Sequence, residues 1–408
     1  MTPEKLREQF PILETKVYGK PLVYLDNAAT SQRPKAVVDA FETSCYTANS
    51  NLHRAVHKLA SDATEAYEAA REKVREFIGA AHREEIVFTS GATHAINLVA
   101  YSFGEAFVGE GDEIIVTGAE HHSNIVPWQL LCERKKATLK VLEVDDNGQL
   151  RTDQLRGLIT HNTRLLAIAH VSNVLGIVNP IREIVDICHE NGVPVLVDGA
   201  QGVVHCKVDV RELDCDFYAF SAHKLFGPAG VGVLYGKRLL LEAMPPFMGG
   251  GEMIDHVSFS GTSYAPLPGK FEAGTQNINS VPAIIPAIDL LEECLADEEL
   301  RRSQESIKEY VYNYLENNPR ITLYGRPSAP ELKVPLFSFK VEGAHHEDLA
   351  LIMDKMGVAL RSGQMCAEPL MDRLGVTGLL RASFAPYNTM EEAECFVQCL
   401  EKATGMLI

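Results

Sequence analysis

The chain has 408 residues, 46% of them apolar and 23% charged, enough for roughly two to three domains and a composition that excludes disorder, collagen and coiled coil. Its 38 basic and 55 acidic residues leave a net charge of −17, which repels nucleic-acid backbones and anionic lipid and excludes both as main partners.

Residues Met1 to Phe10 mix Glu4, Lys5, Arg7 and Glu8 with no apolar run, so neither a secretory signal nor a transit peptide is expected and the cytoplasm is the default compartment. From Glu85 onward short β-branched runs alternate with helical stretches. Strands are expected at Ile86 to Thr89, Glu113 to Thr117, Leu139 to Val144, Arg164 to Val171 and Val193 to Asp198. Between them the pattern predicts helices over Ala92 to Phe107, Asn124 to Lys136, Thr152 to Leu158 and Ile181 to Asn191. The strands are nearly continuous in apolar residues, which implies a mostly parallel sheet covered on both faces. Phe217 to Phe220 and Gly230 to Tyr235 read as closing strands, followed by a Gly/Pro/Ser-rich stretch from Pro245 to Gly274. A domain boundary is expected there. It divides a large α/β unit, 20–270, from a smaller α+β unit made of 1–19 and 271–408. The smaller unit is expected to hold one helix from Ala283 to Asn317, a strand at Leu336 to Val341, a helix over Glu347 to Met356 and a last helix from Met390. The longest uncharged stretch near the middle, Leu165 to Ile181, is interrupted by His170, Asn173 and Pro180, so no membrane span is expected.

Several residues of chemical use fall where predicted strands end. Thr89 to Thr93 joins a strand to a helix, so Ala92 and Thr93 stand where free backbone N–H groups and the helix dipole favour a phosphate. Asp198 closes one apolar strand and Lys224 follows another, in Ser221-Ala-His-Lys; in a parallel sheet those carboxyl ends form one ligand-binding rim. An acid, an amine and a phosphate cradle on one rim are the parts of a pyridoxal phosphate site. Glu120-His-His-Ser-Asn124 brings imidazoles to the same rim. No further ligand stands at zinc-binding spacing, so a ring stacked on a flat cofactor explains His121 better than a metal does.

The nine cysteines are odd in number and form no Cys-x-x-Cys pair, which suits reduced thiols. Cys366 differs from the others in lying in a Gly-containing loop beside Arg361. An ordinary thiol, with a pKa near 8.5, is only about one-tenth ionised at pH 7.5, so a nucleophile here needs cationic help from Arg361 or a histidine.

Taken together, Tyr24-Leu-Asp-Asn-Ala-Ala-Thr30, Asn51-Leu-His-Arg54, Thr89 to Thr93, Glu120 to Trp128, Asp198-Gly-Ala-Gln201, Ser221 to Pro228 and Arg361 to Met371 make the chain resemble the group II (SufS-type) cysteine desulfurases. These are also selenocysteine lyases, in the class V branch of fold type I pyridoxal phosphate enzymes. The resemblance runs in unbroken order from about Tyr24 to Arg381. It implies a large domain with a mostly parallel seven-stranded sheet flanked by helices, a smaller α+β domain carrying the cysteine loop, and a homodimer. Lys224 takes the place of the Schiff-base lysine, Asp198 that of the partner of the pyridine nitrogen, His121 that of the stacking residue and Gln201 that of the donor to the phenolic oxygen. Ala92, Thr93, Ser221 and His223 would surround the phosphate, with Thr275 reaching over from the second subunit. Asn173, Arg381, Arg361 and His53 match substrate contacts, and Cys366 the persulfide-forming nucleophile.

The implied reaction converts L-cysteine to L-alanine and passes persulfide sulfur to an iron–sulfur scaffold or another acceptor protein. One departure stands out. Where the family usually has two histidines before the cysteine, this chain has Gln364 and Met365, neither of which titrates near neutrality. Two other readings keep the same residues: a selenocysteine lyase or other class V amino-acid lyase or epimerase, and a sulfur-relay component that acts only with its partner.

Overall fold

The computed structural model describes residues 1–53 and 56–408. Its centre is a seven-stranded sheet of β1 (Ile86–Thr89), β2 (Glu113–Thr117), β3 (Thr138–Leu142), β4 (Thr163–Ala169), β5 (Val195–Asp198), β6 (Phe217–Ser221) and β7 (Gly232–Gly236). The spatial order is β1-β7-β6-β5-β4-β2-β3. Every neighbouring pair is parallel except those of β7, which runs antiparallel to both β1 and β6.

The continuous apolar runs have a direct structural cause. Successive side chains of a strand point to opposite faces, and here both faces are covered. Phe88, Ile115, Leu166, Val197, Phe220 and Val233 pack in one core cluster, while Val87, Ile114, Leu165, Leu196, Phe217 and Leu234 pack in the other. Truncating such a fully buried side chain, Leu166→Ala for instance, costs about 2–5 kcal/mol. Leu6, Phe10 and Leu13 of the N-terminal arm and the helix Ile284–Ala296, grouped by the sequence with the second unit, have their buried side chains in the first of these cores.

A four-stranded antiparallel sheet follows, in the order Ile321–Tyr324, Leu336–Val341, Leu379–Ser383, Arg361–Gly363. The helices Glu298–Asn317, His346–Lys355 and Met390–Leu407 contribute to its core, among them Val311, Met353 and Phe396. The single helix expected from Ala283 to Asn317 is two, Ile284–Ala296 and Glu298–Asn317. Asp297 takes an extended backbone between them and its carboxylate caps the second by accepting from Glu299 and Leu300 N–H. The Gly/Pro/Ser-rich stretch holds a hairpin, Ile254–Ser258 with Gly261–Tyr264, largely exposed on both strands. No helix among the described residues is long and apolar enough to cross a membrane.

Two connections set the site. Val23–Tyr24 pairs in parallel with Val358–Ala359, and Asp26 bridges Ser383, so the segment leading into Asp26 runs alongside the smaller sheet. At the other end, a Cβ on Gly232 of β7 would lie 2.3 Å from the Cα of Gly91. Only glycine lets the turn after β1 approach the sheet this closely.

Candidate active site

The carboxyl ends of β1, β2, β4, β5 and β6 open onto one cavity of about 540 Å³. Ala92 and Thr93, at the first turn of the helix Ala92–Phe107, form part of its wall, and the Ala92 N–H donates to Ser221 Oγ at 2.8 Å. From the end of β2 comes His121, whose Nδ1 accepts from Ser123 N–H at 3.0 Å. The segment after β4 supplies Asn173, β5 ends on Asp198, and Gln201 follows it, its Nε2 donating to the Ala28 carbonyl at 2.8 Å. Beyond β6 a short turn carries His223 and Lys224 into the same wall. The smaller sheet adds Arg361, Cys366 and Arg381. His53 and Thr275 do not line this cavity. His53 is exposed beside Glu68, 3.8 Å away, and Thr275 is exposed as well. Arg54 lies outside the described residues.

Burial governs the charges in the cavity. It raises the pKa of Asp198, against the opposing pull of Lys224 and the Ala200 N–H, which donates to Oδ1 at 2.9 Å. It lowers that of Lys224, with Asp198 opposing and Arg381 adding to the fall. His121 is held down to about 4, first by burial and then by Lys224, so its ring is neutral near pH 7. Beneath them Glu120 is wholly buried and pushed up to about 8 by desolvation. Its carboxyl oxygens accept from Thr117 Oγ1 at 2.5 Å, Asn124 Nδ2 at 2.6 Å and Ala169 N–H at 2.9 Å. That clamp ties the end of β2 to the end of β4 and holds the base of the turn carrying His121.

The cysteine loop is bent and tied down. Met365 and Cys366 have φ of +55° and +54°, the left-handed region that costs an ordinary residue about 1–2 kcal/mol. Three hydrogen bonds offset this: Asn173 Nδ2 to the Met365 carbonyl at 2.9 Å, His122 N–H to the Cys366 carbonyl at 2.8 Å, and Glu368 N–H to His122 Nε2 at 3.0 Å. Cys366 is the one exposed cysteine among the nine. Met365 is buried among Ala119, Val174 and Leu370, so in this chain it serves as an apolar foot for the loop.

Comparison with known proteins turns this geometry into a family assignment. Residues 23–396 match the class-V aminotransferase family. The chain belongs to that family. It is 46% identical over 402 residues to a probable cysteine desulfurase of Halalkalibacterium halodurans, covering 98% of each chain. To a cysteine desulfurase of Cronobacter sakazakii it is 45% identical over 405 residues, covering 99% of this chain and 98% of the relative. Among solved structures, the Escherichia coli cysteine desulfurase CsdA, in an S-sulfonic acid form, superimposes with a TM-score of 0.91 at 40% identity over all of both chains. The apo cysteine desulfurase of Thermococcus onnurineus superimposes with a TM-score of 0.93 at 36% identity, over 100% of this chain and 99% of the other.

Class-V aminotransferases are pyridoxal phosphate enzymes, and the residues of this cavity fit that cofactor. An amine and a carboxylate share one desolvated wall, and a helix N-terminus with the Ser221 hydroxyl stands ready for an anion. The guanidinium of Arg381, almost wholly buried, has an Nε with no hydrogen-bond partner, the mark of a group awaiting an acceptor.

Sequence reasoning did not single out Asp26, Glu120 or His122 as individual residues of the site. Their neighbours in the motifs gave the only signal, because their partners lie far along the chain: Asp26 meets Arg381 across 355 positions.

Proposed function

We propose that this protein is a pyridoxal phosphate-dependent cysteine desulfurase, converting L-cysteine to L-alanine and leaving the sulfur as a persulfide on Cys366. One observation carries the reading: Lys224, Asp198, Arg381 and the exposed thiol of Cys366 line a single cavity. When bound, the cofactor supplies an electron sink for the carbanion at the substrate Cα.

The protein's own groups divide the remaining work. Lys224 would hold the cofactor and, with its pKa lowered by burial, serve as the base that takes the Cα proton. Asp198, buried and lacking a salt-bridge partner among the described residues, would keep a proton on the ring nitrogen. His121 offers a neutral ring to stack against, and Ala92, Thr93, Ser221 and His223 surround the phosphate position. Arg381, fixed by its bond from Nη1 to the Asn173 carbonyl at 2.9 Å, presents a planar fork to the substrate carboxylate. Cys366, as its thiolate, would attack the substrate sulfur, the new S–S bond forming as the substrate Cβ–S bond breaks and its electron pair stays with Cβ, which takes a proton on the way to alanine.

A homodimer would account for Thr275, which is exposed and stands apart from this cavity, as a residue that enters the second subunit's site. The exposed position of Cys366 suits delivery of sulfur to an acceptor protein, such as an iron–sulfur scaffold. The test is an absorption spectrum of the purified protein before and after borohydride and L-cysteine, paired with sulfide release by the Cys366→Ala variant. A visible band that borohydride removes and cysteine shifts, with sulfide release lost in the variant, is the expected result. A colourless protein that takes up no cofactor, or a variant of full activity, overturns the reading.

A further inference from the structure

The last helix, Met390–Leu407, carries two thiols one turn apart, and Cys395 Sγ lies 3.9 Å from Cys399 Sγ. Neither residue lines the main cavity. Residues four apart on a helix stand on one face, and this face is anchored before and after the pair. A capping box of Thr389 and Glu392 fixes the first turn, while Phe396, Leu400 and Ala403 are buried in the core of the smaller sheet. Cys399 is 8% exposed and Cys395 is half-buried, so the pair lies at the border between core and solvent.

Two thiols held in this way suit one kind of partner. Among the described residues no set of three or more His, Cys, Asp or Glu side chains could hold a metal ion, which excludes a closed tetrahedral zinc site. What the pair can satisfy is a soft acceptor that needs only two sulfurs. For scale, zinc holds sulfur at about 2.3 Å, so one atom of that size bridges sulfurs up to about 4.6 Å apart. The observed 3.9 Å lies within that reach. A disulfide is the harder product. It draws its sulfurs in to about 2.0 Å and needs an oxidant, and the axial rise of about 6 Å between positions four apart on a helix is near the top of the Cα span it tolerates. Burial, and then the neighbouring Cys395, push the Cys399 thiol up to about 11, so it rests protonated and slow to oxidise near neutrality.

We propose that Cys395 and Cys399 form a chelating site for a thiophilic acceptor satisfied by two sulfurs, of the class of monosubstituted trivalent arsenicals. In the capture both S–H bonds and two As–O bonds break, two As–S bonds form, and the protons leave with the displaced oxygen as water. Arsenic stays trivalent throughout, so no oxidant or reductant takes part, and its third valence remains with its organic group. The ring closed through arsenic staples two successive turns of the helix. This assignment does not rest on the function read from the main cavity.

The experiment adds an equimolar amount of phenylarsine oxide to the holoenzyme and reads the adduct after gel filtration, by mass spectrometry of the intact chain and of its peptides. It is run on the native protein and on Cys366→Ala, Cys395→Ser and Cys399→Ser. The expected result is a single adduct per chain in the native protein and in Cys366→Ala, mapped to the peptide that holds both Cys395 and Cys399. A dithiol should remove it where the same concentration of a monothiol does not. Each serine variant should bind about a hundredfold more weakly or worse, because the second As–S bond is intramolecular only when both thiols are present. An adduct that survives in Cys395→Ser, that requires Cys366, or that fails to form in the native protein overturns the proposal. Cys399 belongs to the core, so if Cys399→Ser does not fold, the half-buried Cys395→Ser and the peptide map of the native protein still decide the matter.

Discussion

The backbone N–H of His122 donates to the carbonyl of Cys366 at 2.8 Å, and the His122 ring accepts from the N–H of Glu368 at 3.0 Å. One histidine thus grips the cysteine loop at Cys366 itself and two residues beyond it, joining the turn after β2 to a loop on the smaller sheet.

Replacing that ring tests the grip. In His122→Phe the Glu368 N–H loses its acceptor, a loss of about 1 kcal/mol or roughly fivefold in the loop's equilibrium. Cys366 is expected to alkylate several-fold faster with iodoacetamide, and sulfur transfer to slow. Equal alkylation rates in the two proteins would show that the backbone bond alone holds the loop.

Arg381→Lys is expected to act mainly on binding. The planar fork that reaches both the Asn173 carbonyl and Asp26 has no counterpart in an ammonium. Steady-state kinetics with L-cysteine should show KM raised on the order of tenfold or more, which corresponds to about 1.4 kcal/mol of lost carboxylate binding. An unchanged KM would remove Arg381 from the carboxylate site.

A second buried pair carries stability instead. Arg71 Nη1 and Nη2 meet the two oxygens of Glu272 at 2.7 and 2.9 Å, and the Phe88 N–H donates to the same carboxylate at 2.7 Å. Glu272→Ala leaves the buried Arg71 guanidinium with only the part-exposed Glu68 and the Ile86 carbonyl as partners and an amide of β1 unpaired, with an expected cost of about 2–4 kcal/mol. Thermal or urea denaturation measures it, and a loss below about 1 kcal/mol would contradict the arrangement.

His170 gives the fold a pH dependence of definite sign. Burial holds its pKa at about 4, below the ordinary 6.5, while its Nδ1 lies 2.9 Å from Tyr218 Oη. Between those values the unfolded chain binds the proton and the native one does not. The stability of the neutral form is therefore present above about pH 6.5 and declines as pH falls toward 4, by at most about 1.4 kcal/mol per pH unit. His170→Gln should flatten this acid limb in urea melts between pH 4.5 and 7, although it lowers stability throughout by removing the bond to Tyr218. Glu120, raised to about 8, contributes the opposite slope between its ordinary value and that pH. His121, His205 and His223, also held at about 4, add slopes of the same sign, so the variant should lose one proton's share of the limb, and a limb equally steep would mean that His170 contributes none of it.

The alternation of strands and helices from Ile86 to Tyr235 was legible because both signals are local. A strand buried on two faces must be apolar throughout, and a helix between such strands shows its own period. The rim residues were legible for a related reason: Asp198 and Lys224 follow runs whose strand character is plain, and strand ends bind ligands. The break at Asp297 was missed because the apolar period continues across it and a single capping carboxylate decides it. The exposed hairpin over Ile254–Tyr264 was missed because its Gly and Ser residues read as loop.

By itself, then, the sequence determined the α/β architecture, the placing of Asp198, Lys224 and the turn from Thr89 to Thr93 on one rim, and the one cysteine set apart from the others. Tertiary structure alone decided which groups meet across the two sheets. Asp26 bonds Arg361 and Arg381 over 335 and 355 positions, and Asn173 reaches Met365 over 192. Periodicity and turn chemistry act over a few residues, whereas contacts of this range exist only once burial has packed the smaller sheet against the rim of the larger one.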